Sequence, residues 1–445
     1  MNEVVTHPDI EKAFSRHYDR LSQVIPIVPR GKVTRVIGLV IESNGPETSI
    51  GELCELQDRN GNRCGMAEVV GFREHKVLLM PLGTLDGIRP GSIVRSLRKP
   101  FVVGVGSGIL GRVIDGLGAP LDGKGALDVE TYVPIAAKPP HPLKRQRIDE
   151  QLELGIRSID GLLTCGKGQR FGVFSGSGVG KSVLMGMVAR NTEAQINVIA
   201  LIGERGREVR DFIEKDLGPE GLKRSVVICV TSDQPALIRI KGAMLATAIA
   251  EWFRDNGLDV MLMMDSVTRI ALAQREIGLA IGEPPTTRGY TPSVFAMLPK
   301  LLERSGRSEK GSITALYTVL VEGDDMNEPV ADAVRSILDG HIVLSRKLAA
   351  ENHYPAVDVL ESISRVMIDV VPHELNEAAK KIRTDLAVYR ENEDLINIGA
   401  YKAGSNSRVD RAIEMRDITE ELLKQDIKEK STLQDTWTRI IEMAA

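Results

Sequence analysis

The residues with the clearest chemical promise lie in one short run, Arg170-Phe-Gly-Val-Phe-Ser175 followed by Gly176-Ser177-Gly178-Val179-Gly180-Lys181-Ser182. An apolar stretch of strand length enters a loop of small residues, and VLMGMVAR then continues with helical character. Glycines let a loop turn its backbone N–H groups inward around phosphate oxygens, and the start of the following helix adds partial positive charge. In such a loop Lys181 reaches the β- and γ-phosphates and the Ser182 hydroxyl ligates Mg²⁺. The pattern asks for glycine at position 175, where this chain has serine; that position opens the turn and need not touch phosphate.

Hydrolysis at a γ-phosphate also needs a group that orients and polarises water and one that holds the metal. Glu204 follows the apolar run NVIALIG, and Asp265 follows VMLMM. In a parallel sheet the ends of both strands can converge on the phosphate loop. Glu204 is therefore expected to polarise water and Asp265 to serve the Mg²⁺ site, although an acid after a strand can also merely cap the next helix. A second glycine pattern, Gly106-Ser107-Gly108-Ile109-Leu110-Gly111, spells a dinucleotide fingerprint. Gly116 and Gly118 break the next stretch before a helix can form, so it reads as strand and turns.

These residues need a scaffold, and 445 residues suffice for two or three domains. Residues 8–25 carry Ile10, Phe14, Tyr18 and Leu21 at helical spacing, an amphipathic stripe closed by Pro26 and Pro29. From 30 to 97, short alternating runs separated by Gly, Pro and Asn read as a small β-barrel or sandwich, with a hairpin at Asn60-Gly61. Phe72 is the one aromatic there, which argues against a base-stacking surface and so against nucleic acid as a partner. Between about 100 and 365, strands such as RFGVFS, NVIALIG, SVVICVT, VMLMMD and SITALYTVLV alternate with helices such as 236–256, the signature of a parallel α/β core. Beyond 370 the chain is charged with mixed signs and helical, notably in RAIEMRDITEELLKQDIKEK.

Bulk composition narrows the surroundings. A net charge of −4 gives no global attraction to nucleic acid or anionic lipid. No apolar run reaches membrane-spanning length, and the first residues lack the features of a signal peptide. Four cysteines without paired spacing read as free thiols in a reducing compartment, hence the cytoplasm.

With the phosphate loop, GERGRE (203–208), DSVTR (265–269) and PAVDVLESIS (355–364) in that order, the chain resembles the rotary ATPase family of F- and V-type catalytic subunits over its whole length. GILGRVIDGLGAPLDGKG (108–125) resembles that family's linker between barrel and catalytic domain. TSDQPALIRIKGAMLATAIAEWFRDNG, the stretch from Asp265 to Arg307, and GAYKAGSNSRVDRAI are closer to type III protein-export ATPases, flagellar in preference to virulence-secretion ones. The resemblance implies an α/β, RecA-like ATPase core over 98–368. It further implies a β-barrel over 30–97, a helical C-terminal domain over 369–445, and residues 1–29 as a partner-binding segment.

The resemblance assigns roles residue by residue. It makes Glu204 the catalytic carboxylate, Arg205 its neighbouring arginine, Asp265 the metal-site aspartate and Tyr354 the ring that stacks on adenine. It makes Arg365 an arginine finger for the adjacent subunit, which implies a homohexamer. ATP and Mg²⁺ are the implied ligands. The implied partners are a stalk-like regulator at the N-terminal helix, the export gate, and chaperone–substrate complexes, with peripheral attachment at the inner face of the cell membrane. An F-type subunit working beside a different chain, an RNA translocase, and a nucleotide-binding subunit without catalysis are the competing classes. Residues 400–413, AYKAGSNSRVDRAI, stand where the first would carry an acidic rotor-contact loop. The aromatic-poor barrel opposes the second, and the presence of Glu204 opposes the third.

Overall fold

The computed structural model describes residues 14, 15, 17 and 30–445, so the helix expected over 8–25 lies almost wholly outside the described residues. The chain divides into two compact units, at Pro100 and Phe101.

In the first unit six antiparallel strands close on themselves in the order β1-β2-β5-β4-β3-β6. They are β1 (Arg30–Ile37), β2 (Val40–Asn44), β3 (Leu53–Gln57), β4 (Arg63–Arg73), β5 (Lys76–Pro81) and β6 (Ile93–Ser96). Alternation sends Val33, Ile41, Leu56, Val69, Leu79 and Val94 into one interior, and closure leaves no unpaired sheet edge. The β3–β4 hairpin falls at the expected Asn-Gly pair. Only Gly61 takes a left-handed φ (86°), because Asp58 Oδ1 accepts the N–H groups of Asn60 and Asn62 and holds the turn by itself.

The second unit is built on a nine-stranded sheet. Its main path uses β7 (Arg112–Asp115), β8 (Arg170–Ser175), β9 (Ile196–Glu204), β10 (Ser225–Thr231), β11 (Asp259–Asp265), β12 (Ser312–Leu320), β13 (Gly340–Leu344) and β14 (Val357–Ser364). The order is β14-β13-β8-β12-β11-β9-β10-β7, parallel except for β14; the two-residue strand Gly306–Arg307 pairs with β12. The central strands are buried along nearly their whole length, which is why they read as continuous apolar runs rather than alternating ones. Helices α1 (Lys181–Asn191), α2 (Ala236–Asp255) and α3 (Val267–Ile281) connect them. The glycine pattern at 106–111 makes a three-residue 3₁₀ turn and then β7, with no helix behind it.

Three helices complete the chain: α4 (His373–Asn397), α5 (Ser407–Leu423) and α6 (Leu433–Ala444). The helical pattern read through Lys430 stops at Leu423. Lys424 is extended, and Gln425 spends its hydrogen bonds elsewhere: its N–H goes to the Tyr354 carbonyl (2.9 Å) and its side-chain amide to Gly155 (2.8 Å). The fold is therefore a β-barrel, a RecA-like parallel sheet and a helical C-terminal region. Among the described residues no helix is long and apolar enough to cross a membrane, and Cys54, Cys64, Cys165 and Cys229 are free thiols.

Candidate active site

The phosphate loop joins β8 to α1. Ser175 is the last residue of β8, in register with Leu320 on one side and Leu344 on the other. It is an extended ladder position, and that is why serine serves where the pattern asks for glycine. Gly178 (φ 80°) and Gly180 (φ 91°) occupy the left-handed region, where a side chain is strained. Gly180 caps α1 without any side-chain hydrogen bond, so no side chain claims the first N–H groups of that helix. Val179 packs its side chain into the hydrophobic core and leaves only its backbone to face a ligand.

Parallel pairing brings the two acids together. β9 and β11 are neighbours, with Leu201 opposite Asp265, so Glu204 and Asp265 leave the sheet at the same end. The Lys181 ammonium contacts Asp265 Oδ1 and lies 3.6 Å from Glu204 Oε1. Thr318 Oγ1 donates to the same Asp265 oxygen at 2.6 Å. Glu204 Oε1 is buried and accepts no hydrogen bond. Burial, and then the charge of Asp265, push the Glu204 carboxyl up to about 7 against the opposing pull of Lys181. A carboxyl with that proton affinity suits exchange of a proton with water near neutral pH.

Lys181 and Glu204 open onto a cavity of about 950 Å³, which Gly176, Ser177, Ser182 and Arg205 also line, while Asp265 is buried behind them and does not line it. Arg205 is largely exposed and lies 3.6 Å from Glu208. Tyr354 is half-exposed beside Gly180: a Cβ added to that glycine would sit 3.4 Å from the ring. Its carbonyl is fixed by Gln425, whose side-chain oxygen accepts the Arg157 N–H at 2.9 Å. Arg365 is not brought to this cavity. It is exposed beyond β14, with its N–H donating to the Asp339 carbonyl at 3.0 Å.

Two further arginines belong to the site although the sequence pattern does not single them out. Arg346, just past β13, lays its guanidinium over Gly176, where an added Cβ would lie 2.5 Å from Nε; it also pairs with Asp324 at 3.3 Å. Arg269 packs on Gly203 and lines the cavity with its Nε buried and unbonded. A search for any charged residue just past a strand would have found Arg346. Arg269 was visible inside DSVTR without a role.

The chain is similar to known proteins along its barrel, its nucleotide-binding region and its C-terminal helices. Residues 155–364 match the ATP synthase alpha/beta family, nucleotide-binding domain, and residues 33–98 match the same family's beta-barrel domain. Residues 371–442 match the T3SS EscN ATPase C-terminal domain. The chain is 60% identical over 407 residues to the flagellum-specific ATP synthase of Bacillus subtilis, covering 91% of this chain and 93% of that protein. It is 53% identical over 406 residues to the type 3 secretion system ATPase of Xanthomonas euvesicatoria, covering 91% and 92%. The assembled ATPase EscN of the enteropathogenic E. coli type III secretion system superposes with a TM-score of 0.88 at 46% identity, over 93% of this chain and 100% of that one. The same ATPase in complex with its central stalk EscO gives 0.86 at 45%, with the same coverage.

Proposed function

The chain belongs to the ATP synthase alpha/beta family, in the branch of flagellum-specific and type 3 secretion ATPases, and from that premise we propose that it hydrolyses ATP to energise type III protein export. The observation that carries the reading is the Lys181 ammonium bracketed by Glu204 and Asp265 at the mouth of the phosphate loop. A triphosphate on the loop offers Lys181 stronger partners than the two acids. Glu204 is then free to take up a proton from the attacking water, and Tyr354 to stack on the base.

The donors present suit Mg²⁺. A hydroxyl and carboxylates are hard oxygens, and the ammonium between the acids marks a point where they face positive charge. Among the described residues no cluster of three or more acids, histidines or cysteines could cage a metal, so an ion would take most of its ligands from phosphate and water, as Mg²⁺ prefers. Ser182 and Asp265 would hold it, and it would neutralise charge on the phosphates. Arg205, at the rim, adds positive charge near the terminal phosphate.

Arg365 is exposed and away from its own chain's cavity, so it is free to reach a neighbour's site, and the assembly proposed is a homohexamer working as a peripheral, cytoplasmic motor. Flagellar export is preferred to virulence secretion on the higher identity to the Bacillus protein. A stalk protein at residues 1–29, the export gate and chaperone–substrate complexes complete the proposal; unfolding or release of cargo is the work done.

The test is steady-state hydrolysis with Mg²⁺ and ATP, beside equilibrium binding of a fluorescent nucleotide. Glu204→Gln should bind nucleotide while turnover falls roughly 100- to 10,000-fold. Turnover near the wild-type rate would remove Glu204 from the mechanism. Arg365→Ala should bind as well but lose the rise of specific activity with protein concentration; an unchanged rise would end the case for action between subunits.

A further inference from the structure

Three neighbouring strands end in register at the start of the phosphate loop, with Ser175 of β8 between Leu320 of β12 and Leu344 of β13. Gly176 is the first residue past β8. On one flank Arg346 opens the short helix Arg346–Ala350, with Ser345 as its cap. On the other, Asp324 ends the turn Glu322–Asp324, whose approach is tied down by the Val321 N–H donating to the Ser175 carbonyl at 2.9 Å. Gly323 (φ 65°) and Asp324 (φ 60°) both hold left-handed backbone, which is uncommon for a residue with a side chain.

The two flanks are joined across the loop. Arg346 Nε pairs with Asp324 Oδ1 at 3.3 Å, and the same guanidinium lies against Gly176. Gly176 does not take a left-handed φ, so its backbone would suit alanine. What excludes a side chain is the arginine: an added Cβ would lie 2.5 Å from both Nε and Nη2. A glycine loses more freedom than any other residue when it is ordered, and ordering it before the ligand arrives lowers the cost of binding. A planar guanidinium held at a second point by a carboxylate is suited to that task. The side chains of Arg346 and Asp324 are 50% and 56% exposed, so the pair adds little to overall stability and its effect is local.

We propose that Arg346, braced by Asp324, is a positioning residue that presses on the Gly176 backbone and holds the phosphate loop in shape for a triphosphate. The proposal rests on the nucleotide-binding reading of that loop. Arg346 also lines the cavity, where its charge alone would attract phosphate, and the two modes of action predict opposite results. If charge were the cause, lysine would replace the arginine, and removing Asp324 would tighten binding. If bracing is the cause, lysine fails for want of the planar fork, and removing Asp324 weakens binding.

The test uses the full-length chain, equilibrium binding of a fluorescent ATP analogue, steady-state hydrolysis and thermal melts. Arg346→Ala should raise Kd and KM together by about 10-fold and leave kcat within about 3-fold, and Arg346→Lys should not restore them. Asp324→Gly, which suits the left-handed backbone, should weaken binding by about 3-fold. Gly176→Ala, whose methyl displaces the guanidinium, should match Arg346→Ala, and the double variant should be no worse than either. Melting temperatures should stay at the wild-type value. Rescue by lysine, tighter binding in Asp324→Gly, additive losses in the double variant, or melting that falls in step with affinity would each overturn the proposal. Wild-type binding with unaltered variants removes the brace alone; a wild-type chain that binds no nucleotide removes the reading of the loop as well.

Discussion

Glu42 in the barrel and Glu204 at the end of β9 are the same residue type, each largely shielded from water, and they titrate in opposite directions. Burial pushes Glu42 up, but the Arg35 hydrogen bond and charge, with Lys76, outweigh it and hold the carboxyl below its ordinary value. Burial also leads at Glu204, and there the second strand-end acid adds to it, leaving one lysine to oppose both. An acid surrounded by cations is locked as a carboxylate and serves structure. An acid that shares its cation with another acid stays near its titration point and can do proton chemistry.

The largest expected effect comes from removing the shared cation. Lys181→Ala should cut ATP turnover by roughly 100- to 1,000-fold or more through loss of phosphate contact. It should also move Glu204 titration further to alkaline pH, read by carboxyl NMR of the nucleotide-free chain. A titration that stays put would show that the lysine does not set the acid's proton affinity.

Glu204→Gln should relieve a stability cost that the wild-type acid carries at high pH, as well as lose turnover. The folded-state value near 7 lies above the ordinary 4.5, so the stability this acid permits is complete below about 4.5 and lost as pH rises through 7. At pH 8 the glutamine variant should therefore be the more stable, by roughly 2 kcal/mol, with the gap closing toward pH 5. Thermal melts across that range measure it; a variant less stable at pH 8 would break the contrast.

The smallest effect belongs to the barrel. Glu42 has a lowered value, so its contribution is present above the ordinary carboxylate range and lost as pH falls. Because Arg35 and Lys76 remain open to water, Glu42→Gln should cost only about 0.5–1 kcal/mol at pH 7 and nothing in strong acid. Native-state hydrogen exchange of β1 and β2 reads it directly. A loss of several kcal/mol there would mean the pair is worth far more than its exposure allows.

The phosphate loop was legible because its signal is local: thirteen consecutive residues carry the strand end, the turn glycines and the helix start. Glu204 and Asp265 were legible because each is the first acid after an apolar run, and parallel pairing does the rest. Arg346 carried only the weak signal of a charge near a strand end, since 170 residues separate it in sequence from the Gly176 backbone it covers. The end of α5 was also hidden. Its charges and apolar spacing continue past Leu423, and what stops the helix is a set of partners outside the sheet strands, Tyr354, Gly155 and Arg157, drawn from far along the chain.

That stop has a mechanical corollary. Gln425 is 5% exposed, and its main-chain N–H together with both ends of its amide are committed to the residues flanking the nucleotide cavity's sheet. Arg157 adds a grip on the Leu422 carbonyl at 2.9 Å, so the last turn of α5 has no slack against Tyr354. A displacement of the tyrosine main chain would therefore pull on the C-terminal end of α5 through these hydrogen bonds.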